Sequence, residues 1–498
     1  MSSIRVTYSG LISLFVSLSS SITGIIFVII VTRQLDPVDF GLWTFIGNLV
    51  SYVLVVHPLI SYWSMRQISR GIEVGKTAIF SSGILSTIAF SIYLIIAFYF
   101  SDLTESSIQF YLLASLLIPL NLFSNVLNSI SLGYKPQTVS YGIAFFELSK
   151  IPLGLILVYF LEWGLLGVIL TVVLSTTIKV SLLFYYVRKK LSGKIKLNVL
   201  KFWFKMSWLS GFSQIAGLIH RMDIAIFTLV FTSFTGLAFW GAAMTIGTLV
   251  LHSGKIYQAL HPKILATEKK GIAIETIKRT FFFGIPFLCA TIIFGKIGLY
   301  ILNPLYVNVI FIVYIYAIFV FVQILKELFF EIGRGFEKVD KNFESNFRDY
   351  LHSNLFKIPS LNVLFSSSYL IILTVFLIYA KLENFAEIEI LTYWGLIQLL
   401  VSIPFAVYSY FLINKKYDIT IPIKEILVYV GIGFISSLIT YVAMENYLVF
   451  QESVFIFLPS VLPFLLLGVF LYFGLAFLVD PSIRLLYRKI LLEFKHKI

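Results

Sequence analysis

The 498-residue chain is 59% hydrophobic and 13% charged, about half the charged share of a soluble globular protein. That balance excludes a soluble enzyme or binding module. The single cysteine, Cys289, leaves no partner for a disulfide and no thiolate metal site. The net charge of +13 would suggest nucleic acid in a soluble protein, so its placement along the chain has to be established first.

Fourteen apolar segments are long enough to cross a bilayer, at 8–32, 41–65, 77–100, 108–133, 138–161, 163–187, 206–231, 237–260, 281–303, 306–331, 356–380, 390–413, 425–448 and 454–479. The predicted class is therefore all-α, a polytopic membrane protein. The first segment is too long for the apolar core of a cleaved signal and reads as an anchor. No connecting loop is long enough for a folded domain.

The loops alternate in charge. Odd-numbered ones carry Arg33 with Asp36 and Asp39, then Asp102 and Glu105, then Glu162, and later Lys381 with Glu383, Glu387 and Glu389, and Glu445 and Glu452. Even-numbered ones carry Arg66, Arg70 and Lys76, the run from Arg188 to Lys205, the group Lys263 to Arg279, and Lys415, Lys416 and Lys424. Cationic loops stay in the cytoplasm, which predicts cytoplasmic termini and a multi-pass protein of the plasma or inner membrane. The same asymmetry accounts for the net charge. The 188–205 run then orients the chain against anionic headgroups, and no nucleic-acid partner is expected.

Two stretches repeat. GLWTFIGNLV at 41–50 aligns without gaps to GAAMTIGTLV at 241–250, with Gly41/Gly241, Ile46/Ile246, Gly47/Gly247, Leu49/Leu249 and Val50/Val250 identical. Six segments separate them, so the repeat runs in one direction, about an axis along the membrane normal. Transporters use such repeats and bind substrate between them.

The run Leu35-Asp36-Pro37-Val38-Asp39-Phe40-Gly41 resembles the first outer turn of lipid-linked oligosaccharide flippases. These form the Wzx-type branch of the multidrug/oligosaccharidyl-lipid/polysaccharide (MOP) exporter superfamily. Asp36 stands where that family commonly has Gly. Arg221-Met222-Asp223 in segment seven, followed by Gly236 to Ala242, is similar to a second family feature, with Trp240 in the usual Tyr region. The resemblance implies a V-shaped molecule of two six-helix lobes with two further helices outside. Its expected parts are residues 1–200, 201–415 and 416–498.

Segment seven places Ser207, Ser210, Gln214, Gly217 and Arg221 on one face, and segment eight does the same with Gly241, Thr245, Thr248, His252 and Lys255. Segment four carries Asn121, Asn125 and Asn128, and segment one carries Ser9, Ser13, Ser17, Ser20 and Gly24. For segment one, helix packing accounts for the small hydroxyl residues; three asparagines in register point instead to a wet cavity. Charges inside the membrane cost about 2.5–3.5 kcal/mol each at a helix centre, which makes them pointers to function. Six are basic (Lys150, Lys179, Arg221, Lys255, Lys296, Lys326) and three acidic (Glu147, Asp223, Glu327). Glu147 and Lys150 lie three apart and can neutralise each other. Lys326 and Glu327 lie near a boundary, where they are expected to snorkel.

The basic surplus suits an anionic substrate. Arg221, Lys255, Lys150, Asn121, Asn125, Asn128, Gln214 and His252 are expected to bind it, the guanidinium holding phosphate in a two-pronged grip. Asp223 and Glu147 are the candidates for a coupling proton or sodium ion. No nucleotide-binding motif, cofactor or metal site is expected. The reading is a flippase for a polyprenyl- or dolichyl-linked glycan, with the lipid bilayer and glycosyltransferases of the same pathway as partners. A multidrug or small-molecule exporter of the same superfamily is the alternative. A membrane glycosyltransferase, polymerase or ligase is a weaker one, since no long outer loop or acidic metal motif is present.

Overall fold

The structure, a computed structural model, describes residues 19–20, 22–69, 71–254, 270–337, 351–451 and 453–485, without the side chains of 206–210 and 213. Among these, thirteen helices are long and apolar enough to cross a membrane, and Ile22–Gln34 is a shorter apolar helix. No strand occurs among the described residues, and the all-α polytopic class holds. In hydrocarbon, backbone groups must be satisfied within each segment, and helices do this.

The elements are α1 (Ile22–Gln34), α2 (Pro37–Val53), α3 (Pro58–Ser69), α4 (Gly75–Leu103), α5 (Ile108–Ser115), α6 (Leu117–Tyr134), α7 (Gln137–Gly154) and α8 (Gly164–Val187). They continue as α9 (Leu197–Phe231), α10 (Phe234–Gly247), α11 (Lys270–Leu302), α12 (Ile310–Gly335), α13 (Asn354–Leu382), α14 (Glu387–Tyr417), α15 (Ile423–Tyr447) and α16 (Val454–Val479). The second predicted segment is broken. After α2 a tight turn at Leu54–Val56 precedes Pro58, whose missing N–H ends the helical ladder.

Two helices begin well before their apolar segments. Expected from 206 and 281, they are already helical at Leu197 and Lys270. Lys201 and Lys205 are therefore helical, as are Lys278 and Arg279. A helix can propagate past the hydrocarbon edge because water then solvates its side chains, and no Pro or Gly lies between 197 and 210 to stop it.

The Asp-Pro-Val-Asp run caps α2. Asp36 Oδ1 accepts from the Asp39 N–H at 2.8 Å, and Pro37 occupies the first turn, where its missing N–H costs nothing. A β-carbon at Gly41 would overlap the carbonyl oxygen of Phe234 at the start of α10. One at Gly241 would lie 3.0 Å from Thr44 Oγ1 on α2. The paired glycines of the repeat thus meet at one seam, each letting its helix press on the other. Gly47, six residues on, has nothing within 4 Å.

The chain falls into two compact units. Unit 1 comprises Met1–Gly241 and Asn362–Phe385, and unit 2 comprises Ala242–Leu361 and Ala386–Ile498. At one end of unit 1, buried Ile60, Ile68, Ala78, Val126, Ile130, Leu183, Val187 and Trp203 form a core shared by α3, α4, α6, α8 and α9.

Unit 2 is fastened by two polar clasps. In the first, Asp480 follows α16 and accepts from Tyr429 Oη at 2.6 Å and from the Ser482 N–H at 2.8 Å, with Lys278 Nζ at 3.0 Å. This ties α11, α15 and the end of α16. Burial alone would raise the Asp480 pKa, but it is outweighed by the hydrogen bonds from Tyr429, Lys278 and Ser482, which hold it down at about 2. In the second, Glu337 Oε2 accepts the Asn354 N–H at 2.9 Å and pairs with Lys416 at 3.3 Å. The Asn354 amide reaches the Gly333 carbonyl and Tyr417 Oη, each at 3.1 Å. Lys326 does not snorkel as expected. It is 3% exposed, 3.6 Å from Glu327, because α12 packs closely against α14 within unit 2 and pairing satisfies the charge there.

Candidate functional site

Most of the predicted site residues fall in unit 1, where they form two separate polar groups. The first joins α9, α13 and α2. Asp223 is 6% exposed, and its Oδ1 accepts from the Ile224 N–H at 2.8 Å. Its Oδ2 accepts from Tyr369 Oη at 2.7 Å, across 146 residues of sequence. The His220 ring lies on Tyr369 at 4.8 Å and on Phe365 at 5.7 Å. Tyr52 of α2 donates to the backbone carbonyl of Arg221. The phenol of Tyr369 therefore makes a charge-assisted hydrogen bond to the Asp223 carboxylate in a buried setting.

Arg221 turns the other way. Its side chain is exposed, and among the described residues its guanidinium forms no ion pair or hydrogen bond. Gly217, one turn earlier, is also exposed with open space beside it, and Gln214 is half-buried. The polar face of α9 thus presents a guanidinium beside a position with no side chain. The side chains of Ser207 and Ser210 lie outside the described residues.

The second group joins α1, α7 and α8. The Glu147 carboxylate is met by Lys150 Nζ at 2.8 Å, Thr23 Oγ1 at 2.9 Å and Ser20 Oγ at 3.1 Å. Lys150 is 8% exposed. Its ammonium lies 5.2 Å from the Phe27 ring centre and 5.0 Å from that of Phe146, within reach of cation–π attraction. Lys179 of α8 is half-buried and approaches the same Phe146 ring at 5.8 Å. It has no hydrogen bond or ion pair among the described residues.

Asn121, Asn125 and Asn128 line one half-buried face of α6. The Asn121 amide donates to the Leu117 carbonyl at 2.8 Å, whereas Asn128 Oδ1 is buried without a partner among the described residues. His252 belongs to unit 2, half-buried with its ring 6.4 Å from Phe287. Lys255 lies outside the described residues, as do Ser9, Ser13 and Ser17. Sequence reasoning did not single out Tyr369, Tyr52, His220 or Thr23. His220 adjoins Arg221, and a histidine inside a spanning segment was the one available signal.

No protein-family model and no curated protein matches the sequence. Solved structures do match the fold. The lipid II flippase MurJ in its inward closed conformation aligns with TM-score 0.67 at 12% identity, over 97% of this chain and 100% of that one. An inward-facing multidrug resistance MATE family transporter of the MOP superfamily aligns with TM-score 0.61 at 13% identity, over 82% and 99%. MATE in complex with MaD5 aligns with TM-score 0.53 at 14% identity, over 83% and 95%. The chain has the fold of these MOP superfamily structures.

Proposed function

We propose that this chain is a flippase for lipid-linked oligosaccharide. It would move a glycan on a polyprenyl or dolichyl phosphate or diphosphate from the cytoplasmic to the outer leaflet by alternating access, without chemistry on its cargo. The observation that carries this reading is the reach of the fold likeness. The lipid flippase accounts for 97% of the chain, while the multidrug transporter accounts for 82%.

The residues of unit 1 support the same choice. The exposed guanidinium of Arg221, unpaired among the described residues, and the half-buried Lys179 suit a phosphate. The amides of Asn121, Asn125 and Asn128, with Gln214 and, in unit 2, His252, suit sugar hydroxyls. A drug exporter of the same fold would favour organic cations, which this basic surplus disfavours. Energy would come from an ion gradient or from consumption of product outside, with Asp223 and Glu147 as the carboxylates available for a proton or sodium ion. The loop charges support cytoplasmic termini in a plasma- or inner-membrane protein. Glycosyltransferases of the same pathway would supply the cargo.

Reconstitution into liposomes tests the reading. A fluorescent short-chain polyprenyl diphosphate carrying one N-acetylglucosamine should become accessible to an external quencher faster than in protein-free vesicles. Ethidium efflux should not rise. Ethidium transport without movement of the lipid-linked sugar would replace this reading with the exporter.

A further inference from the structure

The Glu147 cage resembles a cation site that is already filled from within. Two carboxylate oxygens and the hydroxyls of Ser20 and Thr23 converge from α7 and the first helix. Such a set of hard oxygens, carrying one negative charge, suits a small monovalent cation. In this structure the cation is the Lys150 ammonium, 2.8 Å from Glu147 Oε2. It is not a loose tenant. The rings of Phe27 and Phe146 stand 5.2 and 5.0 Å from it, and the side chain is buried.

The charged groups facing Glu147 are few. Lys150 comes from its own helix, and Lys179 of α8 approaches the shared Phe146 ring at 5.8 Å. From the described part of the first helix come the hydroxyls of Ser20 and Thr23. Among the described residues no other charged group contacts the carboxylate.

We propose that Lys150 is a tethered counterion, seated where an exchangeable cation would otherwise bind between Glu147, Ser20 and Thr23. The inference deepens the transport reading by moving ion coupling away from Glu147 and onto Asp223. Its test reads ion binding rather than flipping, so the two can fail separately.

The physical basis is the cost of a bare charge. A carboxylate left alone in a buried site is strongly unfavourable. Removing the ammonium forces the site to take a free ion from solution. Because the cage already supplies four oxygens, sodium is one candidate and a proton is the other. Lysine differs from both because it cannot leave.

The experiment uses the full-length protein, purified in detergent, and follows thermal unfolding. Sodium chloride is titrated against choline chloride at pH 8, and a second series lowers the pH from 8 to 5 in choline. Wild type and Glu147→Gln should respond identically to sodium, because any sodium response of the wild type arises elsewhere. Lys150→Met should gain a melting-temperature rise of about 3 °C with sodium or with acid. The double variant Lys150→Met/Glu147→Gln should lose that gain. Lys150→Arg should behave as wild type, since it restores a tethered charge.

The two series separate sodium from proton. If neither distinguishes Lys150→Met from the double variant, the proposal fails. It fails equally if Glu147→Gln abolishes a sodium response present in wild type, because Glu147 would then hold a free ion already. Should Lys150→Met not fold in choline at pH 8, recovery in sodium or acid supports the proposal. Failure under every ion condition, while the double variant folds, overturns it.

Discussion

Tyr369 donates its hydroxyl to Asp223 at 2.7 Å, joining α13 to α9. The bond binds a segment from late in the chain into unit 1. It also gives a buried carboxylate a neutral hydrogen-bond donor from another helix.

Tyr369→Phe removes that donor and leaves the aromatic packing on His220 intact. Hydrogen bonds to charged groups contribute about 1.5–3 kcal/mol. The variant should unfold at lower temperature than wild type, and Asp223→Asn/Tyr369→Phe should lose little more than the worse single variant. Strict additivity of the two losses, measured in the same detergent, would show that the pair is not coupled.

Arg221 is expected to act on cargo. Arg221→Ala should abolish movement of the lipid-linked sugar while leaving folded yield near wild type, since no ion pair among the described residues is broken. Arg221→Lys keeps the charge without the planar fork and should retain part of the rate. Yield and rate falling in equal proportion would make Arg221 a structural residue instead.

Gly41 and Gly47 give a matched comparison one helix face apart. Alanine in a helix is favoured over glycine by about 1 kcal/mol, so Gly47→Ala, with open space around it, should be neutral or stabilising. Gly41→Ala must push α2 off the Phe234 carbonyl and should sharply reduce folded protein. Fluorescence-detected size exclusion ranks the two, and equal behaviour would mean that the seam is loose.

Asp480 predicts a dependence on acid. Its pKa in the folded protein, about 2, lies below the usual aspartate value of about 3.9. The clasp therefore contributes fully above that usual value and loses its contribution as pH falls towards the folded one. Asp480→Asn should melt lower than wild type at pH 7, and the gap should narrow on acidification to pH 3. A gap that stays constant between these pH values would show that the carboxylate's charge does not matter.

The segments were legible because the bilayer dictates their length and polarity. The break before Pro58 follows from proline chemistry alone. The helix start at Leu197 was not legible, since hydropathy marks where lipid ends and not where the helix does. The Glu147–Lys150 contact could be read from a spacing of three on one helix. Tyr369 could not: a lone tyrosine among apolar residues has no period, and its acceptor sits on another helix far back in sequence. The glycine match at 41 and 241 was visible as a repeat, but its steric purpose required the position of Phe234.

The Glu337 clasp has a practical consequence. Because Asn354 donates its backbone N–H to Glu337 at 2.9 Å and its amide to Gly333, the end of α12 and the start of α13 are pinned to each other directly. Lengthening a closed loop costs only about 0.6 kcal/mol per doubling. A rigid domain inserted between Glu337 and Asn354 is therefore expected to leave that pair intact and to serve as a fiducial for electron cryomicroscopy.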